Sequence, residues 1–286
     1  MNVTLCCIGR LENKYAIEFV EYYKQLGVDH IYIYDNNYDG EEYFEDVLQS
    51  YVDEDYVTII DYRNQKNCQT YIYTTFYKEY HKKYDYIIYI DFDEYIYLVK
   101  DKNIKKYLSR NKNNYNIIQL NWMIYTDNNL VYYDNRPCIE RFTTPMEIYK
   151  CVSMLYMPEN YHIKCIIKCD FEEIFFDNPH CPNLLYNKDI NKYKACNNAF
   201  IDKQNKTDFY ESNKDASINY DLAYVKHFMF KTIDEYMRYK CTRGVIDEAT
   251  LNDFRARYSF RFFKVNDRTK EKEKYCKLYN INYITL

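Results

Sequence analysis

In Tyr86-Ile87-Ile88-Tyr89-Ile90-Asp91-Phe92-Asp93-Glu94-Tyr95, five apolar or aromatic residues run straight into three carboxylates within four positions. An unbroken apolar run of that length reads as a strand buried on both faces, as in parallel sheets sandwiched between helices. In an extended chain alternate side chains share a face, so Asp91 and Asp93 are expected to point the same way. Two neighbouring carboxylates at the end of a buried strand repel each other and are costly to desolvate. A divalent cation removes that penalty, and hard oxygen ligands suit Mg²⁺ or Mn²⁺. The carboxyl ends of parallel strands are also where open α/β sheets bind ligands. The bland alternative is an acidic surface turn, and an Asp-x-Asp tripeptide taken alone has little specificity.

The flanking sequence alternates strand and helix. Residues 3–8 form a short apolar strand, and residues 15–26 carry apolar side chains near helical spacing before Gly27, a helix stop. Residues 30–34 (HIYIY) read as a strand that breaks into Asp35-Asn36-Asn37-Tyr38-Asp39-Gly40, a turn-rich loop. A helix over 41–51, a strand over 57–60, a helix over 69–84 and a strand over 116–120 complete the series. This pattern predicts an α/β fold with a mostly parallel sheet and flanking helices. The rest of the chain is less regular. All five prolines fall between Pro137 and Pro182, a further strand is expected over 161–169, and residues 188–221 read as a polar, mobile loop. A helix starts at 232–239, and Phe254, Tyr258 and Phe262 form a stripe expected to pack into a core. The expected organisation is a single catalytic domain. It comprises a donor-binding half over 1–125, an irregular acceptor half over 126–245 and a helical extension over 246–286.

Composition narrows the chemistry. The 286 residues include only four glycines, Gly9, Gly27, Gly40 and Gly244, too dispersed for a P-loop or a dinucleotide-binding GxGxxG turn. The 38 tyrosines reconcile a hydrophobic content of 47% with a mean hydropathy of −0.67, since each ring is apolar and each hydroxyl is scored polar. A net charge of −4 argues against nucleic-acid binding, which needs a basic face. No stretch approaches the length of about 18 uncharged apolar residues that spans a bilayer, and the N-terminus reads as a strand rather than a signal peptide. The 11 cysteines are scattered without a CxxC pair, as expected for free thiols in a reducing compartment. These features predict a cytoplasmic protein, membrane-peripheral if its acceptor is lipid-linked. Its oligomeric state is left open.

Two metal-dependent chemistries place an Asp-x-Asp after a strand. Haloacid-dehalogenase-type phosphatases carry theirs on the first strand, with Thr or Val two residues after the second Asp. Here that position is Tyr95, and three strands precede the motif. Nucleotide-sugar glycosyltransferases place it after the nucleotide-binding half, as in this chain. The likeness extends to further blocks in order: Arg10-Leu11-Glu12-Asn13 with Glu18-Phe19; Gly27-Val28 and Tyr34-Asp35-Asn36-Asn37-Tyr38-Asp39-Gly40; Gln69; and Ile90–Tyr95. A last block holds Lys226-His227-Phe228, Lys231-Thr232, Glu235-Tyr236, Lys240 and Arg243-Gly244. Together they resemble the GT-A-fold glycosyltransferases of family 92 and related family-2-like bacterial enzymes. The chain departs from the family pattern in the order of the Arg10–Asn13 block and at Tyr38, where the family has Ser.

The resemblance implies a GT-A fold and transfer of a hexose, with galactose the first candidate, from a UDP-sugar to a glycan hydroxyl. The acceptor would be lipid-linked or protein-linked. It implies Mn²⁺ or Mg²⁺ on Asp91, Asp93 and His227, with Lys231 near the diphosphate. Arg10, Glu12, Asp35, Asn36, Gln69 and Asp91 would contact the nucleotide. His180, in an H-x-P-like segment, is the second choice of metal-binding histidine. Inversion of the anomeric centre is inherited from the same resemblance and needs a base; Asp127, following the fifth strand, is the first choice, with Asp170, Glu172 and Glu173 after the late strand as the alternatives. A phosphatase using Asp91 as nucleophile and a catalytically silent glycan-binding protein on the same fold are the alternatives.

Overall fold

The structure, a computed structural model, describes residues 1–111, 116–148, 159–183, 195–196, 218–240 and 261–280. The chain forms two compact units. One comprises Met1–Trp122 with Tyr161–Val225, and the other Met123–Asn160 with Lys226–Leu286.

The first unit opens with β1 (Val3–Gly9), α1 (Asn13–Leu26), β2 (His30–Asp35), α2 (Glu45–Asp53), β3 (Val57–Asp61) and α3 (Gln69–Tyr80). There follow β4 (Tyr86–Tyr89), β5 (Glu94–Leu98), α4 (Ile104–Asn111), β6 (Ile117–Ile124), β7 (Ile163–Lys168), the two-residue β8 (Ala195–Cys196) and β9 (Ala223–His227). The unit boundary falls after Trp122 in β6 and after Val225 in β9. The strand order is β3-β2-β1-β4-β7-β6-β9-β5, with β8 beside β6. Strands β1, β2, β3 and β4 are mutually parallel, joined through helices as the alternating pattern predicts. Strand β7 runs antiparallel to both β4 and β6, which a mostly parallel sheet accommodates.

Local sequence explains the elements. In α1, Tyr15, Ala16, Phe19, Val20, Tyr23 and Leu26 fall on one buried stripe. Gly27 then adopts φ +95°, the left-handed conformation that ends a helix most cheaply as glycine, and its N–H bonds back to Lys24. The helix expected over 41–51 begins later, at Glu45, because the Glu41 carboxylate is taken by Arg10 and by the Tyr38 backbone N–H. Strand β5 and helix α4 occupy a stretch where the sequence pattern suggested no element.

Gly9 closes β1 where nothing larger fits. A Cβ there would lie 2.5 Å from Phe92 Cε2 and 2.6 Å from Phe44 Cζ. Those two rings stack at 5.1 Å, and Phe19 packs on Phe92 at 4.6 Å. Gly9→Ala is therefore expected to destabilise the fold by about 1–3 kcal/mol through overpacking. A lower urea midpoint at unchanged m-value is the check.

In the second unit, Thr232 caps Ile233–Glu235 through a reciprocal capping box, and Tyr236–Lys240 continues as a wider, π-type turn. The helix expected over 232–239 is thus present, capped at Thr232, with π-type rather than α-type winding from Tyr236 on. Phe262 is buried against Tyr236, with ring centroids 4.8 Å apart, as its stripe implied. Phe254 and Tyr258 lie outside the described residues. So does most of the loop expected over 188–221, and of the extension expected over 246–286 the described part is 261–280. That part includes the helix Lys272–Leu278. Among the described residues, no helix is long and apolar enough to cross a membrane.

Candidate active site

Three parallel strands reach the same sheet edge in register, with Gly9 opposite Asp35 and Asp35 opposite Asp61. Strand β4 ends beside them, so its acidic turn lies at the carboxyl edge where ligands of α/β sheets bind. The backbone reverses immediately after β4. The Glu94 N–H donates to the Asp91 carbonyl at 3.1 Å, and the Asp91 N–H donates to Glu94 Oε2 at 2.8 Å. Phe92 plunges into the aromatic cluster below Gly9. Asp91 and Asp93 consequently do not share an extended face. The Asp91 side chain is 33% exposed, whereas Asp93 and Glu94 are buried. The apolar residue between the two acids drives this difference, since burying a phenyl ring outweighs the preference for continued extension.

The Asp91 carboxylate is held at both oxygens. Gln69 Nε2 donates to Oδ1 at 2.8 Å, and the Tyr73 hydroxyl approaches the same oxygen at 3.3 Å. Lys164 Nζ donates to Oδ2 at 2.7 Å and lies 3.5 Å from Glu94 Oε2. Gln69 and Tyr73 stand one turn apart on α3, so that helix aims both at Asp91. Burial pushes the Glu94 carboxyl well above its ordinary range; Lys164 opposes the rise, while Asp91 and Asp93 add to it. For Lys164 burial alone would lower the pKa, but the adjacent Asp91 and Glu94 carry it above the usual lysine value. Lys164 and Tyr73 were not anticipated from sequence. The available signal was a lysine alternating with apolar residues inside the expected strand 161–169.

The loop after β2 is a closed network. Asp35 Oδ1 accepts from the Asn37 N–H at 2.9 Å and from Asn37 Nδ2 at 2.7 Å. Its Oδ2 pairs with Arg63 at 2.8 Å, and both side chains are at most 9% exposed. Arg63 also donates to the carbonyls of Glu42 and Tyr38 and lies over the Tyr43 ring. Asn36 Nδ2 donates to the carbonyls of Tyr62 and Gln65. Arg10 forms a two-pronged pair with Glu41 and stacks 3.8 Å above Tyr38. The departure from the family's Ser at Tyr38 thus supplies a ring for a guanidinium. Glu12 is buried at the start of α1. Arg10, Glu12, Asp35, Asn36, Gln69, Asp91 and Asp93 all belong to the first unit.

Asp127, His227 and Lys231 belong to the second. Asp127 is buried; Oδ1 accepts from the Asn129 N–H at 2.9 Å, and Oδ2 pairs with Arg268 at 2.7 Å. Burial raises its pKa, and the Asn129 N–H and Arg268 oppose that rise. His227 is buried at the end of β9, with its carbonyl accepting from the Tyr125 N–H. Lys231 is buried in a left-handed backbone conformation, φ +50°. His180 belongs to the first unit; its Nδ1 bonds the Ile163 carbonyl at 3.1 Å, and its ring packs against Trp122. Among the described residues, no three His, Cys, Asp or Glu side chains converge as a complete metal site. The acidic turn does offer hard oxygens, with Asp91 partly exposed.

A strand-end acidic turn at the carboxyl edge of a mostly parallel sheet agrees with the glycosyltransferase resemblance of the sequence. The family model for glycosyltransferase family 92 matches residues 3–240, and the chain belongs to that family. No curated protein is matched by the sequence. Among solved structures, the chain is similar to S. aureus TarS 1–349 in complex with UDP-GlcNAc. The two are 12% identical with a TM-score of 0.40, over 95% of this chain and 75% of that one. It is also similar to GalNAc-T7 with UDP, GalNAc and Mn²⁺, at 10% identity and a TM-score of 0.31, over 44% of this chain and 24% of that one.

Proposed function

We propose that this glycosyltransferase moves a hexose from a UDP-sugar to a glycan hydroxyl, seating the donor diphosphate at the Asp91–Glu94 turn. The observation that carries the reading is the partly exposed Asp91 carboxylate, held from below by Gln69, Tyr73 and Lys164 at the sheet's carboxyl edge. A carboxylate fixed at both oxygens keeps its orientation when a ligand arrives, which is the preorganisation that binding and catalysis reward. Asp91 and Asp93 would hold Mn²⁺ or Mg²⁺, with remaining ligands from the diphosphate, as is usual for these ions. When bound, the ion would stabilise the negative charge of the departing nucleoside diphosphate. His227 and Lys231 stand as the proposed nitrogen ligand and the proposed diphosphate cation.

Inversion is part of the proposal, with UDP-galactose the first donor to try. Asp127 is the proposed base, and its upward shift through burial suits a proton acceptor. Asp127→Asn separates two roles. A fall in kcat at unchanged Tm supports the base; a lower Tm at unchanged kcat assigns Asp127 to anchoring Arg268. A thermal-shift screen of nucleotide-sugars with and without Mn²⁺ tests the donor reading as a whole. A rise in Tm confined to uridine diphosphate sugars is expected. Glycan binding without any nucleotide response would favour the silent lectin-like alternative.

A further inference from the structure

A lysine at a core position of a β-strand is costly, and this one is 2% exposed. Lys164 sits on β7 opposite Leu120 of β6, one residue before Cys165, which faces Tyr89 of β4. Its stem therefore points toward the end of β4, where the acidic turn begins. There it meets three acceptors: Asp91 Oδ2 at 2.7 Å, Glu94 Oε2 at 3.5 Å and the Pro179 carbonyl at 3.4 Å. The aspartates of the acidic turn would otherwise repel an arriving diphosphate. The ammonium is too deeply buried to touch a ligand, so its influence passes through Asp91, whose other face is open.

We propose that Lys164 is the resident cation of the donor site, a positioning residue that orients Asp91 and offsets the charge of the acidic turn. The nucleoside diphosphate is then accepted with less dependence on a divalent ion than the acidic motif alone would impose. The inference rests on the donor reading above. It assigns part of the counter-charge at that site to the protein itself.

The test is calorimetric titration of UDP into the full-length protein, once with Mn²⁺ and once with EDTA. The readout is the Kd in EDTA divided by the Kd in Mn²⁺. General damage to the fold weakens binding in both conditions and leaves the ratio in place. Lys164→Met removes the charge, Lys164→Gln keeps an N–H donor for Asp91 without charge, and Lys164→Arg keeps the charge. Wild type and Lys164→Arg are expected to show similar ratios. Lys164→Gln and Lys164→Met are expected to raise the ratio at least about tenfold, because Mn²⁺ then supplies what the ammonium did. If Lys164→Met does not fold, Lys164→Gln carries the comparison. A folded neutral variant with the wild-type ratio overturns the proposal. Absence of UDP binding by the wild-type protein in both conditions overturns the donor reading, and this inference falls with it.

Discussion

Asp93→Ala is expected to lower turnover with a UDP-sugar by at least about 100-fold, the cost typical of removing one preorganised charge-stabilising group. The loss should appear in kcat more than in KM, because the interaction strengthens as charge builds on the leaving diphosphate. Asp93 is buried in a turn whose other members hold one another: Asp91 with Lys164, and Glu94 with the Asp91 N–H. Those contacts remain in the variant, and the melting curve measures separately what loss of the buried Asp93 carboxylate costs the fold. Steady-state kinetics at saturating donor, paired with a melting curve, separates the two. Full activity in a folded Asp93→Ala protein would remove the acidic turn from the chemistry.

Arg141→Met is expected to destabilise the second unit strongly. Arg141 meets Glu235 through two parallel bonds of 2.8 and 3.1 Å, with the side chains 1% and 0% exposed. Removing one partner strands a buried charge, which costs about 3–5 kcal/mol. The acid is also tied to Thr232, whose hydroxyl donates to it at 2.7 Å, so the capping box would loosen with it. The pH dependence carries a distinctive sign. Burial alone would raise the Glu235 pKa, but Arg141 and Thr232 together hold it below the ordinary glutamate value. A group depressed in the folded state contributes stability above its unfolded pKa of about 4.3, and that contribution fades as pH falls through the folded value. In Arg141→Met burial acts unopposed by the guanidinium. The deficit should be largest near about pH 7 and shrink on acidification, as the stranded carboxylate takes up a proton. Urea midpoints across the acid-to-neutral range read both curves; a pH-independent deficit would contradict this account.

The parts of the fold legible in the sequence are those whose signals are local. The Tyr15-to-Leu26 stripe with Gly27 behind it announces α1, and the aromatic and β-branched run 30–34 announces β2. The turn at Asp91–Glu94 was placed correctly, but its shape was not. Alternation in an extended strand says nothing of Phe92, whose partners Phe19 and Phe44 are distant in sequence. The antiparallel arrival of β7 was likewise out of reach, because pairing across more than seventy residues leaves no local trace. Lys164 was hidden with it: only the pairing of β7 beside β4 shows that this lysine ends at Asp91. Gln69, by contrast, was legible as a helix start, and its side chain reaches Asp91. Arg63 was overlooked because its partner Asp35 lies across the β2–β3 edge.

The most direct test of the central claim is release of UDP from a panel of UDP-sugars, measured with a glycan acceptor mixture in Mn²⁺ and again in EDTA. The account predicts UDP release from one donor well above the others, stimulated by Mn²⁺ and falling at least about 100-fold in Asp93→Ala. Equal, negligible release from every donor by folded wild-type protein, or turnover of a generic phosphoester through a covalent phospho-Asp91, would contradict it.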